Sequence, residues 1–162
     1  MAITNFTVDY TGRTRDINIF QVANYTNGQT QTTSVVFGPV SKYVAGVEKL
    51  VQRWAILFMT AVGSQINYPT FGTEFIEDIF PSNSSNLSKL DALHLFNFAN
   101  LDVISVFTTY QANNPGAPDD EQFASAQLVG FSSTADSLNM QVAITSIAGS
   151  SLTFVLPIPL NN

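Results

Sequence analysis

Twenty-six consecutive residues, Ser137 to Asn162, carry no charge, and neither do the twenty-five from Ile17 to Ser41. In the first of these stretches Leu138, Met140, Val142 and Ile144 alternate with polar residues. Leu152, Phe154 and Leu156 repeat the pattern after the turn-like Ala148-Gly149-Ser150, which is the periodicity of strands. Ile17–Phe20 and Ser34–Phe37 also read as extended. An edge strand lacking Lys, Glu or Pro invites pairing by another chain. A fold built from these segments must therefore close them inside its own sheet or offer them to a partner.

Charge is scarce everywhere. Only 11% of the 162 residues are Asp, Glu, Lys or Arg, less than half of the roughly 25% usual for a soluble domain. The chain is nevertheless 45% apolar with 13 Phe, ample for one buried core and unlike a disordered chain. With no Cys, a disulfide framework or thiolate metal site is excluded. A net charge of −6 would repel a phosphate backbone, so nucleic acid is a poor partner. The apolar run within Trp54–Val62 is far short of a membrane span, and Met1–Tyr10 lacks the regions of a signal peptide. A cytoplasmic site of synthesis and no membrane partner are expected.

Between the uncharged stretches the period changes. Ser41 is placed to cap a helix carrying Val44, Val47, Leu50, Val51, Trp54, Leu57, Phe58 and Ala61 at spacings of three and four, ended by Gly63. Thr73 can cap a short helix that turns Phe75, Ile76, Ile79 and Phe80 inward, with Glu74 and Glu77 near its positive end and Pro81 as its stop. Ser84, Ser85 or Asn86 then opens a third helix through Leu87, Leu90, Leu93 and Phe98, which passes at Asn100 into a strand over Val103–Tyr110. Gln111–Gln122 reads as a surface loop solvated by Asp119, Asp120 and Glu121, and strands are expected over Ala126–Ser132, Ser137–Ile147 and Ser151–Leu160. The resulting fold class is α+β: extended N-terminal segments, then about three helices and a mainly antiparallel sheet ending in a C-terminal hairpin.

Side chains able to carry chemistry are few. Glu74, Glu77 and Asp78 bring two acids onto one helical face, the pair glycoside hydrolysis uses, but the same placement serves the helix dipole and no Gly-rich catalytic loop accompanies it. His94, the one histidine, is flanked by leucines with Asp91 one turn away, so a metal there would have carboxylates alone to complete it. No Gly-x-Ser-x-Gly elbow and no phosphate-binding loop occur, and the contiguous acids at 119–121 lack the spacing of a calcium loop. The expectation is a protein that is not an enzyme and that needs no cofactor or metal.

The order of elements, with Gly46-Val47-Glu48-Lys49-Leu50-Val51-Gln52-Arg53 through Ala61-Val62-Gly63-Ser64 and then Asn67-Tyr68-Pro69-Thr70-Phe71-Gly72-Thr73-Glu74-Phe75, resembles the baseplate wedge and sheath-initiator family of contractile phage tails. That family also occurs in related contractile injection and type VI secretion baseplates. Its members end a helix in a small-residue turn before a segment of the kind Pro-x-Phe-Gly-[Ser/Thr], which here is carried by Pro69, Phe71, Gly72 and Thr73. The segment has a physical basis: Pro69 fixes the chain before Phe71 inserts, and Gly72 permits a tight approach into the helix that Thr73 caps. The resemblance implies a single domain over 40–162 preceded by an extended N-terminal arm over 1–39, and by it Asp102-Val103-Ile104 stands where the family enters its first core strand. The Glu-Pro-Arg motif of many relatives is replaced here by Ala99-Asn100-Leu101, so contacts made by that motif do not transfer.

The resemblance implies a structural component of the virion tail baseplate, assembled in the host cytoplasm. It would link the tail-tube initiator to wedge and hub proteins in multiple copies around a six-fold axis, and template the first ring of tail sheath by β-strand augmentation. Val142, Ile144, Thr153, Phe154, Val155 and Leu156 are the candidate partner-binding residues, because main-chain pairing with side-chain pockets is how an added strand is held. Two alternatives stand beside it: a neck or tail-terminator protein, and a lysozyme-like peptidoglycan hydrolase using Glu74 or Glu77.

Overall fold

The computed structural model describes residues 15–24, 31–35, 43–79, 88–133 and 137–159. Ser41 and the expected stop at Pro81 lie outside these residues, but the first helix starts at Val47 with Gly46 at its cap position, and Val44, expected within that helix, stands in a short strand.

Strict alternation divides the strand Ser137–Ser146 into two faces: Leu138, Met140, Val142 and Ile144 are fully buried, while the uncharged residues between them are half-buried. In chain order the strands are β1 (Asp16–Ile17), β2 (Phe20–Asn24), β3 (Gln31–Val35), β4 (Tyr43–Val44), β5 (Phe123–Ser133), β6 (Ser137–Ser146) and β7 (Ser151–Pro159). The helices are α1 (Val47–Met59), α2 (Phe75–Ile79) and α3 (Lys89–Asn113), with a 3-10 turn at Asp119–Glu121. The architecture is α+β, with β5, β6 and β7 as an antiparallel meander close to the expected bounds.

The sheet is wider than the C-terminal strands alone. Its order is β2-β3-β7-β6-β5, with β3 parallel to β7 and matched at Thr32 and Val155. The described part of the uncharged N-terminal segment is thus extended and paired within the chain's own sheet, while β1 pairs with β4. The Gln52 amide of α1 holds the intervening backbone like a strand neighbour. Ile19 N–H donates to Gln52 Oε1, and Gln52 Nε2 donates to the Ile17 carbonyl, each at 2.9 Å.

Helices α1 and α3 lie over the buried face of the sheet. Trp54 stacks on Phe58 at 4.5 Å and meets Phe154 of β7 edge-on at 5.9 Å, and Phe58 also touches Phe75 and Phe96. Aromatic pairs at these spacings add to the area they bury, so one cluster ties α1, α2 and α3 to the sheet.

Three further expectations are corrected. Val103–Tyr110, including Asp102-Val103-Ile104, is not a strand but the second half of α3. Its β-branched residues favour a strand locally, yet Phe96, Ala99, Val103 and Phe107 fall on one helical face and are buried against the core. Packing overrides propensity here. The cap of α3 is Ser88, later than expected: Asp91 N–H donates to Ser88 Oγ while Ser88 N–H donates to Asp91 Oδ2, a reciprocal capping box. Finally, Glu121 does not solvate a loop. It is buried and accepts from Lys49 Nζ at 2.7 Å, so the 3-10 turn is tied to the start of α1 by an ion pair inside the core.

Candidate interaction surfaces

The Pro69–Phe75 segment folds back on the C-terminal end of α1. Thr73 N–H donates to the Thr60 carbonyl at 2.8 Å, Val62 N–H to the Thr73 carbonyl at 3.1 Å, and Gly63 N–H to the Pro69 carbonyl at 3.0 Å. These bonds satisfy groups that a helix end leaves open. Gly72 lies at the crossing with φ of 122°, and a Cβ there would overlap the Thr60 carbonyl oxygen and crowd the Ala61 carbonyl carbon and Val62 nitrogen. Only glycine fits both the dihedral and the space. The Thr73 hydroxyl is buried; it donates to the Phe58 carbonyl at 2.8 Å and accepts from Phe75 N–H at 3.3 Å, joining α1 to α2. Pro69 is exposed at the surface of the turn and Phe71 packs half-buried against the core.

The residues expected to meet a partner through the C-terminal strands divide between two faces. Val142, Ile144, Phe154 and Leu156 point into the core and are at most 2% exposed. Thr153 and Val155 lie half-buried on the opposite, uncharged face. Neither β6 nor β7 is at an edge, since β7 has β6 on one side and β3 on the other. The missing charge of these two strands follows from their interior position, for an internal strand has no edge to protect.

Among the described strands the outermost are β2 and β5. β5 carries no charged residue and exposes Val129 by 53%, and its register with β6 shifts at Phe123/Ser125 and again at Leu128/Gly130. Such bulges bend an edge, and between them Ser125–Leu128 runs in regular register with its outer side unpaired among the described strands.

Helix α3 presents a second open surface. Its inner face is core, yet Leu90, Phe98, Leu101 and Ile104 are exposed on the other side. By length and composition α3 also meets the requirement for crossing a membrane, a consequence of apolar residues on every face. This surface was missed in the sequence because a strand was expected over its second half. The signal was there in Phe98, Leu101 and Ile104 lying off the buried spacing. Between α1 and α3, Ile56, Leu57, Phe71, Val106 and Tyr110 line a cleft of about 340 Å³, closed on one side by Arg53, which donates to Tyr110 Oη at 3.1 Å and pairs with Asp16.

The candidate catalytic groups are dispersed. Glu74, Glu77 and Asp78 are exposed around α2, His94 is exposed on α3, and no group of three or more His, Asp or Glu placed to hold a metal ion occurs among the described residues. Asp91 has its carboxyl held below the usual carboxylate range, first by the hydrogen bond from the Ser88 hydroxyl at 2.6 Å, then by Ser88 N–H, with a smaller contribution from His94. That is the chemistry of a helix cap.

A crystal structure of a candidate tail lysozyme from Geobacter sulfurreducens is similar over 75% of this chain and 98% of its own, at 14% identity and a TM-score of 0.46. No protein-family model and no curated protein sequence matches the chain.

Proposed function

We propose that the chain is a non-enzymatic structural component of a contractile tail baseplate, which joins the tube initiator to wedge and hub proteins and templates the first ring of sheath. The observation that carries this reading is the segment Pro69-Thr70-Phe71-Gly72-Thr73 at the end of α1, followed by a short helix, a long helix and a sheet, the order of the family it resembles. The geometry gives a reason for the motif: the glycine is demanded by the Thr60 carbonyl, and the threonine by two buried backbone groups. Augmentation is assigned to β5, because β6 and β7 are internal and β5 is an uncharged outer strand.

Deleting Ser151–Asn162 would be a poor test, since it removes Phe154, Leu156 and Ile158 from the core. Charging the edge is better. Gln127→Lys with Val129→Lys places two ammonium groups on exposed positions of β5 and should leave the fold intact while preventing strand addition. Baseplates carrying this variant are expected to recruit the chain but fail to nucleate sheath. Sheath of normal length on such baseplates would overturn the augmentation. Density for the chain at the neck of tail particles would replace the baseplate reading with the tail-terminator one. Muramidase activity that Glu74→Gln or Glu77→Gln abolishes would replace both with the hydrolase.

A further inference from the structure

The outer face of α3 and the loop that ends α1 enclose a groove of about 870 Å³. Its floor and walls are Val62, Pro69, Phe98 and Val106, with Tyr68 and Tyr110 at the rim. Phe98 and Tyr68 are 59% and 68% exposed, a large apolar and aromatic area to leave against water. Along α3 the lining runs from Phe98 to Tyr110. At 1.5 Å per residue that is about 18 Å, the length of roughly three helical turns. Ser105 and Thr109 lie between these anchors, and short side chains in a helix surface let a second helix approach closely.

Charge selects the occupant. The ionisable carboxylates lining the groove are Glu74 and Asp102; no described Lys, Arg or His is among its lining residues, and Arg53, which holds Tyr110 Oη at the rim, is paired with Asp16. The whole chain carries −6. A second copy docking face to face would oppose carboxylate to carboxylate, and an anionic lipid surface would meet the same repulsion. A segment with Lys or Arg beside its apolar residues would meet two acids that carry no ion pair among the described residues. We propose that this groove is a docking site for an amphipathic helix of another protein, whose apolar stripe packs on Phe98 and Val106 and whose basic flank faces Glu74 and Asp102. The inference rests on the groove alone and stands apart from the baseplate reading.

The test uses the full-length chain and three labelled helical peptides: one with leucines at i, i+3, i+4 and i+7 flanked by lysines, one with glutamates in place of the lysines, and a scrambled form of the first. Fluorescence anisotropy should show the Leu/Lys peptide binding, with the other two weaker by more than roughly tenfold. Phe98→Asp removes the aromatic anchor and Ser105→Trp fills the groove without altering charge; both positions are exposed, so melting temperatures should hold while binding is lost. Glu74→Lys with Asp102→Lys should transfer preference to the Leu/Glu peptide. Equal binding of the scrambled peptide, binding that survives Phe98→Asp and Ser105→Trp, or a preference unmoved by charge reversal would overturn the proposal. So would Phe98-dependent sedimentation with phosphatidylglycerol vesicles, which makes the occupant a membrane. A Phe98-dependent dimer in sedimentation velocity overturns it too, by making the occupant a second copy.

Discussion

Lys49→Met should be among the most damaging single substitutions in the chain. Lys49 is 1% exposed and Glu121 6%. The ammonium donates to Glu121 Oε2 at 2.7 Å, while Glu121 Oε1 accepts from Gly46 N–H at 3.3 Å at the start of α1. Removing the ammonium strands a buried carboxylate with one weak backbone donor, a change that costs about 3–5 kcal/mol in buried pairs. Against a total stability of about 5–15 kcal/mol, that is a large share, and for a domain of this size it lowers Tm by roughly 6–20 °C. Glu121→Gln leaves Lys49 charged and buried, with a comparable penalty. The double variant Lys49→Met with Glu121→Gln removes both charges and keeps a side-chain oxygen for Gly46, so it should lie within about 1 kcal/mol of the native protein. Urea unfolding followed by circular dichroism gives each value by linear extrapolation. A cost under about 1 kcal/mol for Lys49→Met, or a double variant that costs the sum of the singles, would refute the buried pairing, since uncoupled losses mean the two charges do not compensate each other.

Gly72→Ala forces a Cβ onto the Thr60 carbonyl at a φ of 122° and should cost about 3 kcal/mol or more; an unchanged Tm would show that the turn is not held as described. Asn100 has its Oδ1 buried without a hydrogen-bond partner, so Asn100→Leu should raise stability by about 1 kcal/mol, measurable as a higher urea midpoint, and a lower midpoint would contradict it. The Asp91 carboxyl is held below its unfolded value by Ser88. Its contribution is therefore fully present above the unfolded pKa and is lost as pH falls through the folded one. The Tm gap between native protein and Ser88→Ala should be constant from neutral down to mildly acidic pH and narrow at pH values below the ordinary Asp range; a gap independent of pH to the acid limit would refute the capping box.

How much of this could be read from the residues depended on how local the deciding interaction is. β6 was legible because one face of a strand is buried along its whole length, so period two is written into Leu138–Ile144. The second half of α3 was not, because Val103, Ile104 and Val106 satisfy a strand as well as a helix, and the choice is made by Phe96 and Phe107 packing beneath the helix. Glu121 looked like one of three loop acids, since its partner is 72 positions away and no spacing rule reaches that far. The Pro69–Phe75 turn was legible as a motif, whereas the reason for its glycine is the carbonyl of Thr60, which only the fold brings there.

The same distinction changes what the missing charge means. Missing charge in Ser137–Asn162 pointed to a surface waiting for a partner, and for β6 and β7 the sheet itself supplies the neighbours through β3 and β5. The scarcity still calls for covering where no described strand or helix lies alongside, on the uncharged outer side of β5 and along the exposed Phe98, Leu101 and Ile104 of α3. These two surfaces differ in what they can hold. β5 offers main-chain donors and acceptors, which pair with any extended segment and discriminate little between sequences, whereas the α3 groove offers an apolar floor with two acids, which selects by side chain. An assembly that uses both can separate its tasks, recruiting a particular partner through α3 and propagating backbone pairing from β5. Phe98→Asp and the β5 lysines should then fail at different steps, the first before the chain is incorporated and the second after it.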